Sequence, residues 1–210
     1  MTKDNEPPRK DEAVSRLQHS FTRGTAQELK SVYDSWAGEY EKNLVEDLGY
    51  HAPELVAEAA TRHFASLEAP VLDIGCGWGA MAIHLAKKHG AIVTGISLSP
   101  QQLAIARERA EKEGVADRVT FLEQDYRLVK GQFDRIVSIG MMEHVGVSYF
   151  DTYFKSCRRL LTEDGVALIH AIGRMSPPGA TGPFTRKYIF PGGYVPSMSE
   201  VFASTQRCKL

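Results

Sequence analysis

Cysteine is scarce in this chain, and its three cysteines, Cys76, Cys157 and Cys208, stand far apart. An odd, scattered set does not build a disulfide framework and is typical of a reducing compartment. CxxC and HxxxH spacings are missing as well, so no metal site is expected. Cys76 is interpreted as a small, buried residue.

Long hydrophobic runs and an excess of one charge are also missing. No stretch reaches the length of about 18 apolar residues that indicates a membrane-spanning helix. We therefore predict a cytoplasmic protein whose contact with a membrane is at most peripheral. The formal net charge of -1 gives no electrostatic reason to expect a nucleic-acid partner. With 43% hydrophobic residues in 210, the composition is that of a globular domain with a sizeable core.

The sequence does contain a glycine-rich stretch, Val71-Leu-Asp-Ile-Gly-Cys-Gly-Trp-Gly79, followed by helical spacing over 80–89. An apolar strand that leads into a glycine turn and a helix is how an α/β sheet holds a nucleotide-like cofactor. The match alone is weak, because ordinary tight turns share it. Asp73 adds information, since a carboxylate there repels phosphate but suits the cationic groups of S-adenosylmethionine. The stretch therefore predicts a methyl-donor site.

Strands and helices alternate from Pro70 onward. Strands are predicted at 70–75, 91–97, 118–123, 133–140 and 165–171, and helices at 79–89, 100–113 and 148–161. This alternation predicts an α/β fold with a parallel sheet and helices on both faces. Ligands of such sheets lie at the carboxyl ends of the strands.

Three regions are predicted along the chain. Residues 1–24, rich in charge and proline, are predicted to be a disordered tail. Residues 25–66 are predicted to form a helical lid, whose aromatic face around Trp36 either packs on the core or covers the cofactor. Residues 67–210 form the cofactor domain, in which the proline- and glycine-rich segment 174–196 is predicted to be a long loop beside the substrate.

Polar residues stand where the second and third predicted strands end. Ser97 and Gln102 take the place of the acidic residue that usually holds a ribose. Asp125 is positioned to accept from an adenine amino group, and Tyr126 to offer a flat face. A surface turn is the alternative interpretation of this pair.

Three further candidates follow the fourth and fifth strands. Glu143 stands in the middle of the expected cleft, where a carboxylate without a function is costly to desolvate. His144 beside it has either a functional role or a role in holding the loop. His170 lies in an apolar run and is either a core residue or a partner of Glu143.

Five segments together resemble the cyclopropane fatty acid synthases and mycolic acid cyclopropane synthases. They are LDIGCGWG, TGISLSPQQ, FDRIVSIGMMEHVG, LIHAIG and KYIFPGGYVPS, in the family's order and spacing over about residues 70–200. The resemblance implies a Rossmann-like class I methyltransferase that uses S-adenosylmethionine. It also implies transfer of a methyl or methylene carbon to the cis double bond of an acyl chain in a phospholipid.

The resemblance further implies roles for single residues. The implied cofactor-binding residues are Asp73, Gly75, Cys76, Gly77, Trp78, Gly79, Ser97, Leu98, Gln102, Asp125 and Tyr126. Trp36, in a segment that departs from the family, is predicted to cover the cofactor as well. The implied catalytic residues are Glu143, His170 and the backbone at Ile139 or Ile172, which together match the family's bicarbonate site. Such an anion takes up a proton and offsets the positive charge that methylation of an alkene creates.

The sequence departs from the family at both ends. The family's N-terminal cysteine has no counterpart in Tyr33-Asp-Ser-Trp-Ala-Gly-Glu-Tyr40, which instead resembles the start of small-molecule methyltransferases. The family's last two strands and a tyrosine after them are also absent, so we expect five strands and an open edge at the fifth. A small-molecule methyltransferase and an inactive cofactor-binding fragment stay open as alternatives, as does a homodimer.

Overall fold

The computed structural model describes residues 55, 56, 58, 59, 62, 68–183, 185, 186 and 192–210. The predicted tail, Trp36 and most of the predicted lid lie outside these residues. The domain boundaries at 24 and 66 therefore stay predictions.

The described residues form an alternating α/β unit. Its strands are β1 Pro70–Ile74, β2 Ile92–Ser97, β3 Val119–Glu123, β4 Phe133–Ile139 and β5 Leu161–His170. Its main helices are α1 Ala80–His89, α2 Pro100–Lys112, α3 Met142–Val145, α4 Phe150–Leu160 and α5 Met198–Cys208. Short 3₁₀ turns cover Tyr126–Leu128 and Val147–Tyr149. None of the helices in this part of the chain is long and apolar enough to cross a membrane.

The five strands form one sheet in the order β3-β2-β1-β4-β5, and every neighbouring pair is parallel. The chain runs outward from β1 to β3 and then returns to the other side of β1 with β4. The strand order therefore reverses between β1 and β4, which is where sheets of this kind bind ligands. The predicted α/β fold is confirmed, and β5 lies at an edge of the described sheet.

Successive residues of β1 point to opposite faces of the sheet and enter two separate cores. Val71 packs with Leu85 of α1 on one face, whereas Leu72 packs with Phe154 of α4 on the other. All four side chains have at most 1% of their surface exposed. The nearly continuous apolar strands thus reflect a sheet that helices cover on both faces.

Local chemistry sets the start of the two helices that follow β1 and β2. Gly79 precedes α1 with a φ of +81°, and a Cβ there would lie 2.7 Å from the ring of Phe121. Ser99 caps α2 by accepting a hydrogen bond from the N–H of Gln102 at 3.3 Å, and Pro100 occupies the first helical position. Both helices begin within one residue of the predicted positions.

The predicted boundaries were less accurate around β5. The strand begins at Leu161 rather than at 165, because residues 162–164 join it although their polar side chains are typical of a turn. The predicted helix 148–161 divides into a 3₁₀ turn and α4. Over residues 174–182 the long loop is irregular, as predicted, except for a bridge between Arg174 and Ser197.

Candidate active site

A cleft of about 730 Å³ opens at the carboxyl ends of the strands. It is lined by Ile74, Gly75, Ile96, Ser97, Leu98, Ser99, Gln124, Asp125, Tyr126, Arg127, Met141, His144, Val145 and Tyr149. These residues follow β1, β2, β3 and β4, so four separate strand ends meet there. The cleft lies where the topology predicts the ligand site.

The glycine turn forms one side of the cleft through Gly75. The backbone N–H groups of Gly75 and Cys76 both donate to the carbonyl of Ile96 at 3.0 Å, which ties the turn to β2. Gly75 has a φ of +79°, and a Cβ there would lie 3.2 Å from the side chain of Met141. The positive φ favours glycine at this position, and a Cβ would also require Met141 to shift.

The other predicted residues of the turn stand behind or beside the cleft. Cys76 and Gly79 are buried, and Gly77 and Trp78 are half-buried. None of these four is among the described residues that line the cleft. The turn thus shapes the site mainly through its backbone.

Asp73 is buried directly before the turn, with 2% of its surface exposed. Its Oδ2 atom has no hydrogen-bond partner within the described part of the chain. Burial raises the pKa of Asp73 to about 7, and a backbone hydrogen bond from Ala82 offsets part of that effect. A buried carboxylate in this state gains stability from a nearby positive charge.

The predicted ribose residues form a small hydrogen-bonded group at the end of β2. The Ser97 hydroxyl donates to Oε1 of Gln102 at 3.0 Å and accepts from the N–H of Ser99 at 3.2 Å. Ser97 and Leu98 line the cleft, whereas Gln102 reaches it only through Ser97. Leu98 is 70% exposed and forms part of the rim.

The predicted adenine residues both line the cleft, but Asp125 already has a partner. Its carboxylate accepts from the backbone N–H of Arg127 at 2.8 Å and pairs with the Arg127 guanidinium. The side-chain hydrogen bond from Arg127, more than the backbone one, lowers the pKa of Asp125. The Tyr126 ring packs edge-on against the ring of Tyr153, with the two centroids 5.5 Å apart.

Glu143 lies in α3 between two cleft residues and is fully buried. Its Oε1 atom accepts a hydrogen bond from the backbone N–H of Ile172 at 2.5 Å, and its carbonyl accepts from the N–H of Tyr194 at 2.8 Å. Its Oε2 atom has no partner among the described residues. A buried carboxylate with one open oxygen is a candidate for catalysis, because such a group is otherwise costly to bury.

His170 ends β5, which pairs with β4, the strand that leads into α3 and Glu143. Ile139 of β4 pairs with His170 of β5, and the N–H of Gly140 donates to the His170 carbonyl at 3.0 Å. The Nδ1 atom of His170 is buried and has no partner among the described residues. The N–H of Ile172 already donates to Glu143. Of the two backbone positions predicted to hold bicarbonate, Ile139 therefore stays the candidate.

Sequence reasoning missed several apolar residues that line the cleft. Met141 and Val145 both line it, four residues apart around α3, and Tyr149 follows in the next turn. The four-residue spacing was a usable signal, because such positions share one face of a helix. His144, for which the sequence left open a functional role or a role in holding the loop, is exposed and lines the cleft as well.

No cluster of three or more metal-binding side chains occurs among the residues that the structure describes. The cleft lining combines apolar side chains with the polar side chains of Ser97, Ser99, Gln124, Asp125, Arg127 and His144.

A parallel sheet of this order, with a buried acidic residue ahead of a glycine turn and a cleft at the strand ends, defines the class I S-adenosylmethionine-dependent methyltransferases. The profile of the mycolic acid cyclopropane synthetase family matches residues 66–210. The chain belongs to that family, which confirms the resemblance inferred from the five segments.

Curated relatives support this membership. The chain is 44% identical over 136 residues to the cyclopropane-fatty-acyl-phospholipid synthase of Escherichia coli K12, covering 65% of this chain and 35% of that protein. It is 39% identical over 142 residues to a probable fatty acid methyltransferase of Pseudomonas putida, covering 64% and 36%. The chain thus spans about a third of the length of these relatives.

Solved structures agree on the fold. Mycolic acid cyclopropane synthase CmaA1, solved with SAH and CTAB, is 28% identical with a TM-score of 0.64, covering 72% of this chain and 58% of that one. The cyclopropane synthase MmaA2 of Mycobacterium tuberculosis gives 26% identity and the same TM-score and coverage. The geranyl diphosphate C-methyltransferase of Streptomyces coelicolor, at 17% identity and a TM-score of 0.68 over 82% of this chain and 65% of that one, shares the fold alone.

Proposed function

We propose that this chain carries the methyl-transfer site of an enzyme that acts on unsaturated acyl chains of phospholipids. S-Adenosylmethionine is the donor, and a methyl or methylene carbon is added to a cis double bond. The observation that carries the proposal is the fully buried Glu143, whose Oε2 atom has no partner among the described residues and whose neighbour His144 lines the cleft. Relatives described as acting on fatty acyl groups support the same substrate class.

The residues present fit the methyl donor. The unpaired Oδ2 of Asp73 supplies negative charge behind the glycine turn, and Gly75 presents exposed backbone to the cleft. Ser97, Leu98 and Tyr126 line the part of the cleft proposed for the nucleoside. When bound, the donor supplies an electrophilic methyl group next to its sulfonium.

The negative charge of Glu143 is of the sign that would stabilise the positive charge formed on the acyl chain. An alkene carries no charge, so an added methyl cation leaves a carbocation, and ring closure then requires loss of a proton. The Glu143 carboxylate lowers the energy of that positive charge in a site with little water. Met141, Val145 and Tyr149 provide the apolar surface that excludes water.

A bicarbonate ion is part of this proposal. Two atoms without partners among the described residues would hold it. The Oε2 of Glu143 would accept a hydrogen bond from the ion, and the Nδ1 of His170 would donate or accept one, depending on its tautomer. When bound, the ion supplies a base close to the reacting carbon.

Two measurements test the proposal in sequence. Calorimetric titration with S-adenosylmethionine and with its demethylated product tests the donor site, and absence of binding at millimolar ligand would exclude the enzyme. Purified protein is then incubated with vesicles of cis-unsaturated or of saturated phosphatidylglycerol. We expect acyl chains enlarged by one CH₂ only in the unsaturated vesicles.

The acceptor class has its own control. Protein that binds the donor, yet leaves every lipid unchanged while methylating soluble amines or phenols, would be a small-molecule methyltransferase. Proton NMR of the isolated fatty acids then separates a cyclopropane ring from a methyl branch.

A further inference from the structure

The segment that follows β5 holds Glu143 at two points. The N–H of Ile172 donates to the Glu143 carboxylate at 2.5 Å, and the N–H of Tyr194 donates to the Glu143 carbonyl at 2.8 Å. Glu143 itself lies in α3, which is only four residues long and has no side-chain cap. A helix this short gains little stability of its own, so its position depends on these outside contacts.

Arg174 connects the two parts of the segment that make these contacts. Its guanidinium donates to the carbonyls of Val195, at 2.8 and 3.1 Å, of Ala180, at 3.3 Å, and of Gly179. Its Cζ atom lies 5.5 Å from the centre of the Tyr194 ring. One side chain thus joins residues 179–180 to residues 194–195.

The backbone of Arg174 reinforces the same junction. Its N–H donates to the carbonyl of Pro196 at 2.9 Å, and its carbonyl accepts from the N–H of Met198 at 3.0 Å. Ile172 lies two residues before Arg174 and Tyr194 two residues before Pro196, so both donors to Glu143 adjoin this junction. Removal of the guanidinium would release the carbonyls while leaving the backbone bridge in place.

We propose that Arg174 is a positioning residue that fixes the catalytic carboxylate of Glu143 by clamping the segment after β5 onto α3. Arg174 is not among the described residues that line the cleft, so we assign it an indirect role. Its planar fork of donors suits several carbonyls at once, which the single ammonium of a lysine does not. This inference rests on the catalytic role of Glu143 proposed above.

The first test measures the effect of Arg174 on the segment after β5 by a method that does not depend on enzymatic activity. Hydrogen exchange of the full chain is compared between the wild type, Arg174→Gln and Arg118→Gln. The control removes a similar bond, from Arg118 to the Gly90 carbonyl at 2.7 Å, at the opposite end of the sheet. We expect faster exchange in peptides containing Ile172 and Tyr194 in Arg174→Gln alone, with β1 protected in all three proteins. Unchanged exchange at both amides would overturn the clamp.

The second test uses turnover on unsaturated vesicles. We expect Arg174→Gln to lower kcat by about 10- to 100-fold, as small misplacements of catalytic groups do, with the Kd of the donor unchanged. Arg174→Lys should restore only a small part of the loss, and Arg118→Gln should match the wild type. In the Glu143→Gln background the Arg174 substitution should cost almost nothing further, because the two residues act as one unit.

The outcomes separate the two proposals. If the loss of kcat in the double variant equals the product of the losses in the two single variants, Arg174 does not act through Glu143. Wild-type protein that transfers no methyl group would refute the proposed function, and the exchange experiment would still decide whether Arg174 clamps the segment.

Discussion

The carboxylate of Glu143 accepts a hydrogen bond from the backbone N–H of Ile172 at 2.5 Å, although the two residues are 29 positions apart. The bond joins the short helix after β4 to the segment after β5. It occupies one carboxylate oxygen and leaves the other without a partner among the described residues. The two oxygens therefore differ: the backbone holds one, and the other is the atom that we propose for catalysis.

Glu143→Gln separates these roles. The amide oxygen of glutamine still accepts from Ile172, so we expect the fold and the donor affinity to be retained. Loss of the charge should reduce turnover by at least about 100-fold, the usual contribution of a catalytic acid or base. Calorimetry and the vesicle assay measure the two effects. Glu163→Gln, an exposed position at the start of β5, is the control, and an equal loss there would contradict the assignment.

Asp73 should make donor binding dependent on pH. Because burial raises its pKa to about 7, the carboxylate of the free protein loses its charge as the pH falls through 7. The affinity for the cationic donor should therefore be weaker at pH 6 than at pH 8. Calorimetry at both values checks this, and Asp73→Asn should bind more weakly and lose the pH dependence. Asp117→Asn, on an exposed loop, should behave like the wild type.

The same residue should affect the stability of the ligand-free protein in the opposite direction. The pKa in the folded state, about 7, exceeds the ordinary value of 3.8, so between these values the folded state binds more protons than the unfolded state. The free energy of unfolding should fall as the pH rises from 4 through 7, by an amount on the order of a few kcal/mol. Urea unfolding of Asp73→Asn should show a smaller decrease than the wild type, and identical slopes would contradict the assignment.

Two glycines of the turn should differ in their tolerance of alanine. Both have positive φ, but a Cβ on Gly79 would lie 2.7 Å from Phe121, whereas a Cβ on Gly77 meets nothing within 4 Å. Gly77→Ala should cost about 1–2 kcal/mol from backbone strain. Gly79→Ala should cost about 1–3 kcal/mol more from overpacking. Urea unfolding of both variants decides the order. Equal losses would mean that both Phe121 and Ala106, whose Cβ would lie 2.9 Å away, give way freely.

Two of the cysteines should be inert in the native protein. Burial raises the pKa of Cys157 to about 12 and that of Cys76 far above its ordinary value. The thiolate is the reactive form, so both should resist N-ethylmaleimide at pH 8 and react fully in denaturant. Peptide mass mapping identifies the labelled sites. Labelling of native Cys157 at the denatured rate would contradict its burial.

The sequence by itself determined the alternation of strands and helices, the glycine turn and the family. These features depend on apolar periodicity, caps and glycines, which act over a few neighbouring residues. Asp73, Gly75, Ser97 and Tyr126 were predicted as site residues because each lies at or near the end of an apolar strand. A strand end is visible in the sequence, and in a parallel sheet all such ends meet on one side.

Only the tertiary structure decided which of these groups are engaged and which are open. Asp125, predicted to meet an adenine, is paired with Arg127, and the N–H of Ile172 is taken by Glu143. Arg174 was not predicted as a site residue, because its partners are carbonyls contributed by distant residues. The partners of a buried polar group depend on which distant segments pack around it, and no local pattern in the sequence contains that information.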